Sequence, residues 1–255
     1  MERMVIQAGA LPALVWGRKA ASVIVAVHGN QSNREDRPIE ALAEIACVRG
    51  WQVLSYDLPE HGTRKADPAL CRFAECVSEL AGIVRFARER WTRVALFGVS
   101  MGASFALLGC GELIDCAWFL SPVTDMLGLT RGMMAAFGVS EAELEEGRAV
   151  PTPIGQTIYW EDYRFLRANP VQDWPVRTDI LCGEQDDVSG AASIRAFAER
   201  FGCVLEVVPG AGHYFHTEGQ MCRLREWLSR TLPGAWFRQG RRARIPAAYL
   251  NEYFR

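Results

Sequence analysis

Apolar and polar positions alternate along this chain in two rhythms. Ser22-Val23-Ile24-Val25-Ala26-Val27, Trp51-Gln52-Val53-Leu54-Ser55-Tyr56 and Val94-Ala95-Leu96-Phe97 are short, nearly unbroken apolar runs. Such runs predict strands buried on both faces of a parallel sheet. Between them the apolar positions recur at helical spacing. Residues 38–49 place Ile39, Leu42, Ile45 and Ala46 on one face and stop at Gly50, and residues 69–90 do the same with Phe73, Val77, Leu80, Val84 and Ala87. Further strands are predicted over 115–120, 177–182 and 203–208, and further helices over 101–109, 191–201 and 217–232. Residues 5–7 and 11–16 read as an opening hairpin, with Pro12 suggesting an edge position. Strand–helix alternation of this kind predicts an α/β fold with a mostly parallel, doubly wound sheet.

The alternation breaks once. Residues 123–171 carry no strand-like run; they offer helical fragments, a capping box at Ser140 and Glu143, a rigid Pro151-Thr152-Pro153, and the aromatic stretch Ile158-Tyr159-Trp160-Glu161-Asp162-Tyr163-Arg164-Phe165. An irregular segment of this length within a βα alternation predicts a helical cap. The expected organisation is therefore a core over 1–122, a cap insertion over 123–171, a second core segment over 172–232 and a tail over 233–255. The tail's Arg238, Arg241, Arg242 and Arg244 read as a solvated charge cluster.

Composition changes this picture little. With 255 residues, 49% of them apolar, one large core is affordable, and a net charge of −2 gives no electrostatic case for a nucleic-acid partner. No run approaches the ~20 apolar residues of a membrane span, and the opening residues lack the pattern of a signal peptide. The eight cysteines form no C-x-x-C pair and fall mostly in apolar segments. They read as small buried hydrophobes in a reducing compartment, which predicts a cytoplasmic protein. No metal site and no cofactor are expected.

The candidate chemistry gathers at predicted strand ends. Gly98-Val99-Ser100-Met101-Gly102 lies between strand and helix and fits G-x-S-x-G, a turn so sharp that small neighbours are required and the serine hydroxyl is left exposed. A serine hydroxyl needs a base, and the base needs an orienting group. His213, in a glycine-rich loop after the strand at 203–208, is the favoured base over His216, which adjoins the closing helix. Asp186 follows the strand at 177–182 and is the favoured acid; its neighbours Glu184 and Asp187, and Asp125 after the strand at 115–120, are rivals.

Together these residues resemble the α/β-hydrolase family over about residues 20–232, in the elbow motif, in the order Ser100, Asp186, His213, and in Gly212-His213. The resemblance implies a serine hydrolase cleaving a small-molecule acyl substrate, a carboxylic ester or related acyl bond, through an acyl-enzyme on Ser100. It also implies an oxyanion hole formed by the backbone N–H groups of Asn30, after His28-Gly29, and Met101. Asp57-Leu58-Pro59-Glu60-His61-Gly62 resembles the family's D-x-x-G-H-G segment with Glu60 in the place of a glycine, which implies that His61 is structural or near the pocket rather than catalytic. The absence of a His-Gly-Gly-Gly loop points toward the single-domain esterases, monoacylglycerol lipases and serine aminopeptidase-like members. Acyl transfer with the same triad and a non-catalytic binding role are the alternatives. Trp160 and Tyr163, with Tyr159 and Phe165, are candidates either to line a substrate pocket or to join cap to core.

Overall fold

The computed structural model describes residues 1–234, so the arginine cluster expected in the tail lies outside the described residues. The hairpin β1 (Arg3–Ala8) and β2 (Leu11–Trp16) opens the chain, followed by β3 (Ser22–Val27), α1 (Arg37–Val48), β4 (Trp51–Tyr56), α2 (Phe73–Arg90), β5 (Arg93–Val99) and α3 (Met101–Gly109). After β6 (Ala117–Leu120) come α4 (Met126–Ala136), α5 (Glu141–Gly147), the short strands β7 (Ala149–Pro151) and β8 (Thr157–Tyr159), and α6 (Trp160–Ala168). β9 (Thr178–Gly183), α7 (Ala191–Phe201), β10 (Val204–Val208) and α8 (Glu218–Thr231) complete it.

Eight strands form one sheet in the order β1-β2-β4-β3-β5-β6-β9-β10. β1 and β2 pair antiparallel, β2 meets β4 antiparallel, and every later neighbour pair is parallel. This is the mostly parallel, doubly wound α/β sheet that the apolar runs predict, and it agrees with the fold that the resemblance to the α/β-hydrolase family implies. Within each run, alternate residues serve opposite faces. Val23, Val25 and Val27 of β3 join the core beneath α2, α3 and α7, whereas Ile24 and Ala26 join the core beneath α1 and α8. Two buried faces remove the need for polar alternation, so the strand sequences look continuously apolar.

Pro12 does not lie at the sheet edge. β2 is flanked by β1 and β4, but its ladder with β4 starts at Ala13, so the missing N–H of Pro12 interrupts no bond there. The helix expected from residue 69 starts instead at Phe73, whose N–H donates to Asp162 Oδ1 at 2.8 Å. A carboxylate from α6 thus supplies the acceptor that an N-cap side chain ordinarily provides, and Arg72 at the cap position makes no side-chain cap bond.

Between β6 and β9, residues 123–171 contain the antiparallel β7–β8 pair, where the sequence shows no strand-like run. Three-residue strands, one ending at Pro151, are too short to display a period. The capping box forms at Ser140 and Glu143 as expected. Trp160 and Tyr163 stack at 5.8 Å and are buried with Met134, Leu144 and Ile158 in a small core of their own. Both rings thus pack within the segment between β6 and β9 itself, and neither is among the walls of the cavity of about 390 Å³ described below. Trp160→Ala should therefore cost about 3–5 kcal/mol in urea unfolding, as for other buried aromatics; a cost within ~0.5 kcal/mol would mean that the ring carries no packing.

Candidate functional site

Five parallel strands end at one level. Val27 pairs with Gly98, Val99 with Leu120, Leu120 with Leu181, and Gly183 with Val208. β3 and β5 are neighbours, yet β4 lies on one side of them and β6 on the other, so the connections leave in opposite directions and open a crevice at their carboxyl ends. The candidate residues follow these strands: Gly29 and Asn30 after β3, Ser100 after β5, Asp186 after β9 and His213 after β10.

Ser100 stands at φ 52° and ψ −116°, a conformation that costs an L-residue ~1–3 kcal/mol and is held by its surroundings. Its N–H donates to Leu120 O at 3.0 Å, and its carbonyl accepts from Ala103 N at 3.1 Å and Val123 N at 3.3 Å. The flanking glycines are needed sterically. A Cβ on Gly98 would stand 2.8 Å from Ala103 Cα, and one on Gly102 would stand 2.6 Å from the carbonyl oxygens of Val27 and His28.

The structure brings Ser100, His213 and Asp186 together. Ser100 Oγ lies 2.8 Å from His213 Nε2, and His213 Nδ1 lies 3.0 and 2.9 Å from the two carboxylate oxygens of Asp186. The loops bearing the acid and the base are tied to each other. Glu184 N–H donates to Val208 O, Gln185 N–H to Ala211 O, and Gly210 N–H to the Glu184 carboxylate. Gly183 permits this approach, since a Cβ there would fall 2.2 Å from Ala211 O. Burial works against the charge of Asp186, but the hydrogen bond and charge of His213 and the N–H groups of Ser189 and Val188 outweigh it, so its pKa lies below the usual carboxylate range.

The rivals have other work. Asp125 is exposed and caps α4 by accepting from Gly128 N at 2.8 Å. Glu184 binds Gly210, and Asp187 is exposed. His216 is exposed, with Nδ1 at 2.8 Å from Tyr214 O.

The loop after β3 is shaped by groups that the sequence argument left without a role. His28 is fully buried; its Nδ1–H donates to Gly29 O at 2.7 Å and its Nε2 accepts from Leu58 N–H at 3.0 Å. Asp57 accepts from Arg34 N at 2.8 Å and from the backbone and hydroxyl of Thr63 at 3.0 and 2.8 Å, joining this loop to the one after β4. Its sequence signal is its place directly after β4, ahead of His61-Gly62: a Cβ on Gly62 would fall 2.1 Å from the Asp57 carboxylate. Glu60, in the place of a glycine, adopts φ 64°. His61 Nε2 accepts from Gln31 N–H at 3.0 Å, next to Asn30.

Burial pushes His28 down to about 4. The unfolded chain therefore takes up a proton near pH 6.5 that the folded chain refuses, so the contribution of His28 is whole above pH 6.5 and is lost as pH falls toward 4. Wild-type stability in urea should drop by about 3 kcal/mol over that window on this account. The drop should shrink in His28→Asn, and an equal drop in both proteins would assign it to other groups.

A cavity of about 390 Å³ lies between α3, α7 and the residues after β6, with Leu107, Val123, Met126, Leu166 and Phe197 among its walls. Its walls include Ser104, one helical turn beyond Ser100, but not Ser100 or His213 themselves. Among the described residues no helix is long and apolar enough to cross a membrane.

Several solved structures share this architecture. Est1E from Butyrivibrio proteoclasticus, solved with ferulic acid bound, superposes with a TM-score of 0.73 at 19% identity, over 89% of this chain and 96% of that one. Mouse alpha/beta hydrolase domain-containing protein 10 gives 0.71 at 15% identity, over 90% and 98%. The Pyrococcus furiosus esterase Pf2001 gives 0.62 at 18% identity, over 90% of each chain. No curated protein matches the sequence. The sequence profile of the "Alpha/beta hydrolase family" matches residues 24–226, which takes in every strand end described above. By that match, this chain belongs to the α/β-hydrolase family.

Proposed function

We propose that the protein is a serine hydrolase that cleaves a small carboxylic ester, or a related acyl bond, through an acyl-enzyme on Ser100. The observation that carries the reading is the continuous relay from Ser100 Oγ to His213 Nε2 at 2.8 Å and from His213 Nδ1 to Asp186 at 2.9 Å. At that spacing Nε2 takes the hydroxyl proton as Oγ attacks the acyl carbonyl, and then delivers it to the leaving alcohol. Asp186, held ionised, fixes the tautomer with the proton on Nδ1 and stabilises the imidazolium. Water, activated by the same imidazole, then releases the acyl group.

The oxyanion is assigned to the N–H groups of Met101 and Asn30. Met101 opens α3, where helix N–H groups point outward unpaired. Asn30 follows Gly29, on which a Cβ would stand 3.1 Å from Ser100 Cβ, so this backbone closely approaches the nucleophile. Losing one such donor typically costs about 3–4 kcal/mol of transition-state stabilisation. Residues 123–171 are assigned as a cap that borders the site without supplying a member of the triad. One of the similar proteins, from Pyrococcus furiosus, is named as an esterase, which accords with this reading.

The test is covalent. A fluorophosphonate probe should add once to the wild-type chain, on the peptide containing Ser100, and turnover of short-chain esters should fall in step with labelling. A folded protein that neither labels nor turns over any ester in a panel varying acyl and alcohol groups overturns the proposal.

A further inference from the structure

Away from the triad, the start of α2 brings two thiols together. Cys71 precedes the cap residue Arg72, Cys76 lies in the first turns of the helix, and their Sγ atoms are 3.6 Å apart. This is the spacing at which side chains staple a helix start, so the proximity follows from the helix itself. A disulfide needs about 2.05 Å, a closure of about 1.5 Å. Cys71 lies in the irregular segment ahead of α2, where adjustment is easy, while Cys76 is fixed in the core.

The surroundings of Cys71 differ from those of the other thiols. Its Sγ faces the Cys76 thiol and the His61 imidazole; the hydrogen bond from Cys76 and, behind it, His61 outweigh burial and hold it down to about 6. Its own N–H donates to Glu60 Oε2 at 2.8 Å, which fixes the backbone beside His61. Burial instead pushes Cys47, Cys182 and Cys203 up to about 11 and Cys110 and Cys116 up to about 12. Cys222 is exposed on α8 beside Glu226. Cys71 is half-buried, so a small oxidant reaches it, whereas Cys76 is fully buried behind it.

We propose that Cys71 is a hydroperoxide-reactive thiol that Cys76 resolves into an intrachain disulfide. The Cys71 thiolate attacks one peroxide oxygen; the O–O bond breaks, and the departing alkoxide or hydroxide takes a proton from water. The sulfur loses two electrons to the peroxide and becomes a sulfenic acid. Cys76 then attacks the Cys71 sulfur, the S–O bond breaks, and the leaving hydroxide carries off the Cys76 proton as water. One hydroperoxide is reduced and two thiols are consumed. The modified pair adjoins His61, whose Nε2 holds Gln31 in the loop after β3.

Tryptic digestion separates the partners, because cleavage after Arg72 leaves Cys71 in residues 66–72 and Cys76 in residues 73–85. The reduced full chain, given one equivalent of hydrogen peroxide and mapped without reduction, should yield these two peptides joined. Cys71 should oxidise about tenfold faster than an ordinary exposed thiol such as Cys222. Cys76→Ser should stop at a Cys71 sulfenic acid captured by dimedone, and Cys71→Ser should leave Cys76 as the free thiol. The proposal is overturned if the joined peptides are absent while Cys222 is oxidised, or if Cys71 pairs with a thiol other than Cys76. Should Cys76→Ser fail to fold, the wild-type map decides alone. None of these readings depends on ester cleavage.

Discussion

Ser100→Ala is expected to fold with wild-type stability, to take up no fluorophosphonate, and to lose ester turnover by about six orders of magnitude if the triad acts as a unit. The fold is expected to survive because the change deletes one oxygen and leaves the backbone that defines the turn. Ser100 N–H and O keep their partners on Leu120, Ala103 and Val123, and both flanking glycines remain. Alanine at φ 52° bears much the same strain as serine there. Circular dichroism and urea unfolding check the first half of the expectation, intact-protein mass after probe treatment the second. Wild-type turnover in the variant would remove Ser100 from the chemistry, whatever its geometry.

Asp186→Asn is expected to keep the fold and lose about four orders of magnitude in turnover. An asparagine can offer its amide N–H₂ where the carboxylate oxygen now accepts from His213 Nδ1, which favours the tautomer with the proton on Nε2. That proton would then face Ser100 Oγ across 2.8 Å, where a base is needed. Asp125→Asn should change turnover less than about threefold, since asparagine caps a helix nearly as well as aspartate. Asp187→Asn should be equally mild, its side chain being exposed. Steady-state rates for the three variants decide the assignment. A crippled Asp125→Asn beside an active Asp186→Asn would move the acid to the loop after β6.

Much of this arrangement is legible in the chain because the relevant constraints are local. β4 spans Trp51–Tyr56 and α7 spans Ala191–Phe201, both as the apolar pattern predicts, because Gly50 precedes the first and Gly190 and Gly202 flank the second. The elbow is legible for the same reason: the close contacts of Gly98 and Gly102 leave no room for a side chain. What was not legible depends on residues distant in sequence. The start of α2 is set by Asp162, 89 residues away, and no propensity within residues 69–73 reports it. Pro12 is tolerated in an inner strand because the β4 ladder begins one residue later. The partners of Trp160 and Tyr163 were not legible from an aromatic spacing that serves pocket and packing alike; Leu144, one of them, lies 16 residues before Trp160. Asp57 had no predicted role because its partners, Arg34 and Thr63, lie on two different loops.

The bond between Asp162 and the first amide of α2 limits how freely parts of this protein can be exchanged. Arg72 also lies over the Tyr159 ring at 3.3 Å, so two successive residues at the start of α2 lean on the segment between β6 and β9. A chimera that replaces residues 123–171 with the corresponding stretch of another protein removes both supports, although neither belongs to the stretch's own interior. The graft then fails at a helix it never touched in sequence, unless it carries an acceptor at the position of Asp162 or the recipient gains a capping residue at position 72. Modularity here is governed by one backbone donor rather than by the boundaries at which the chain is cut.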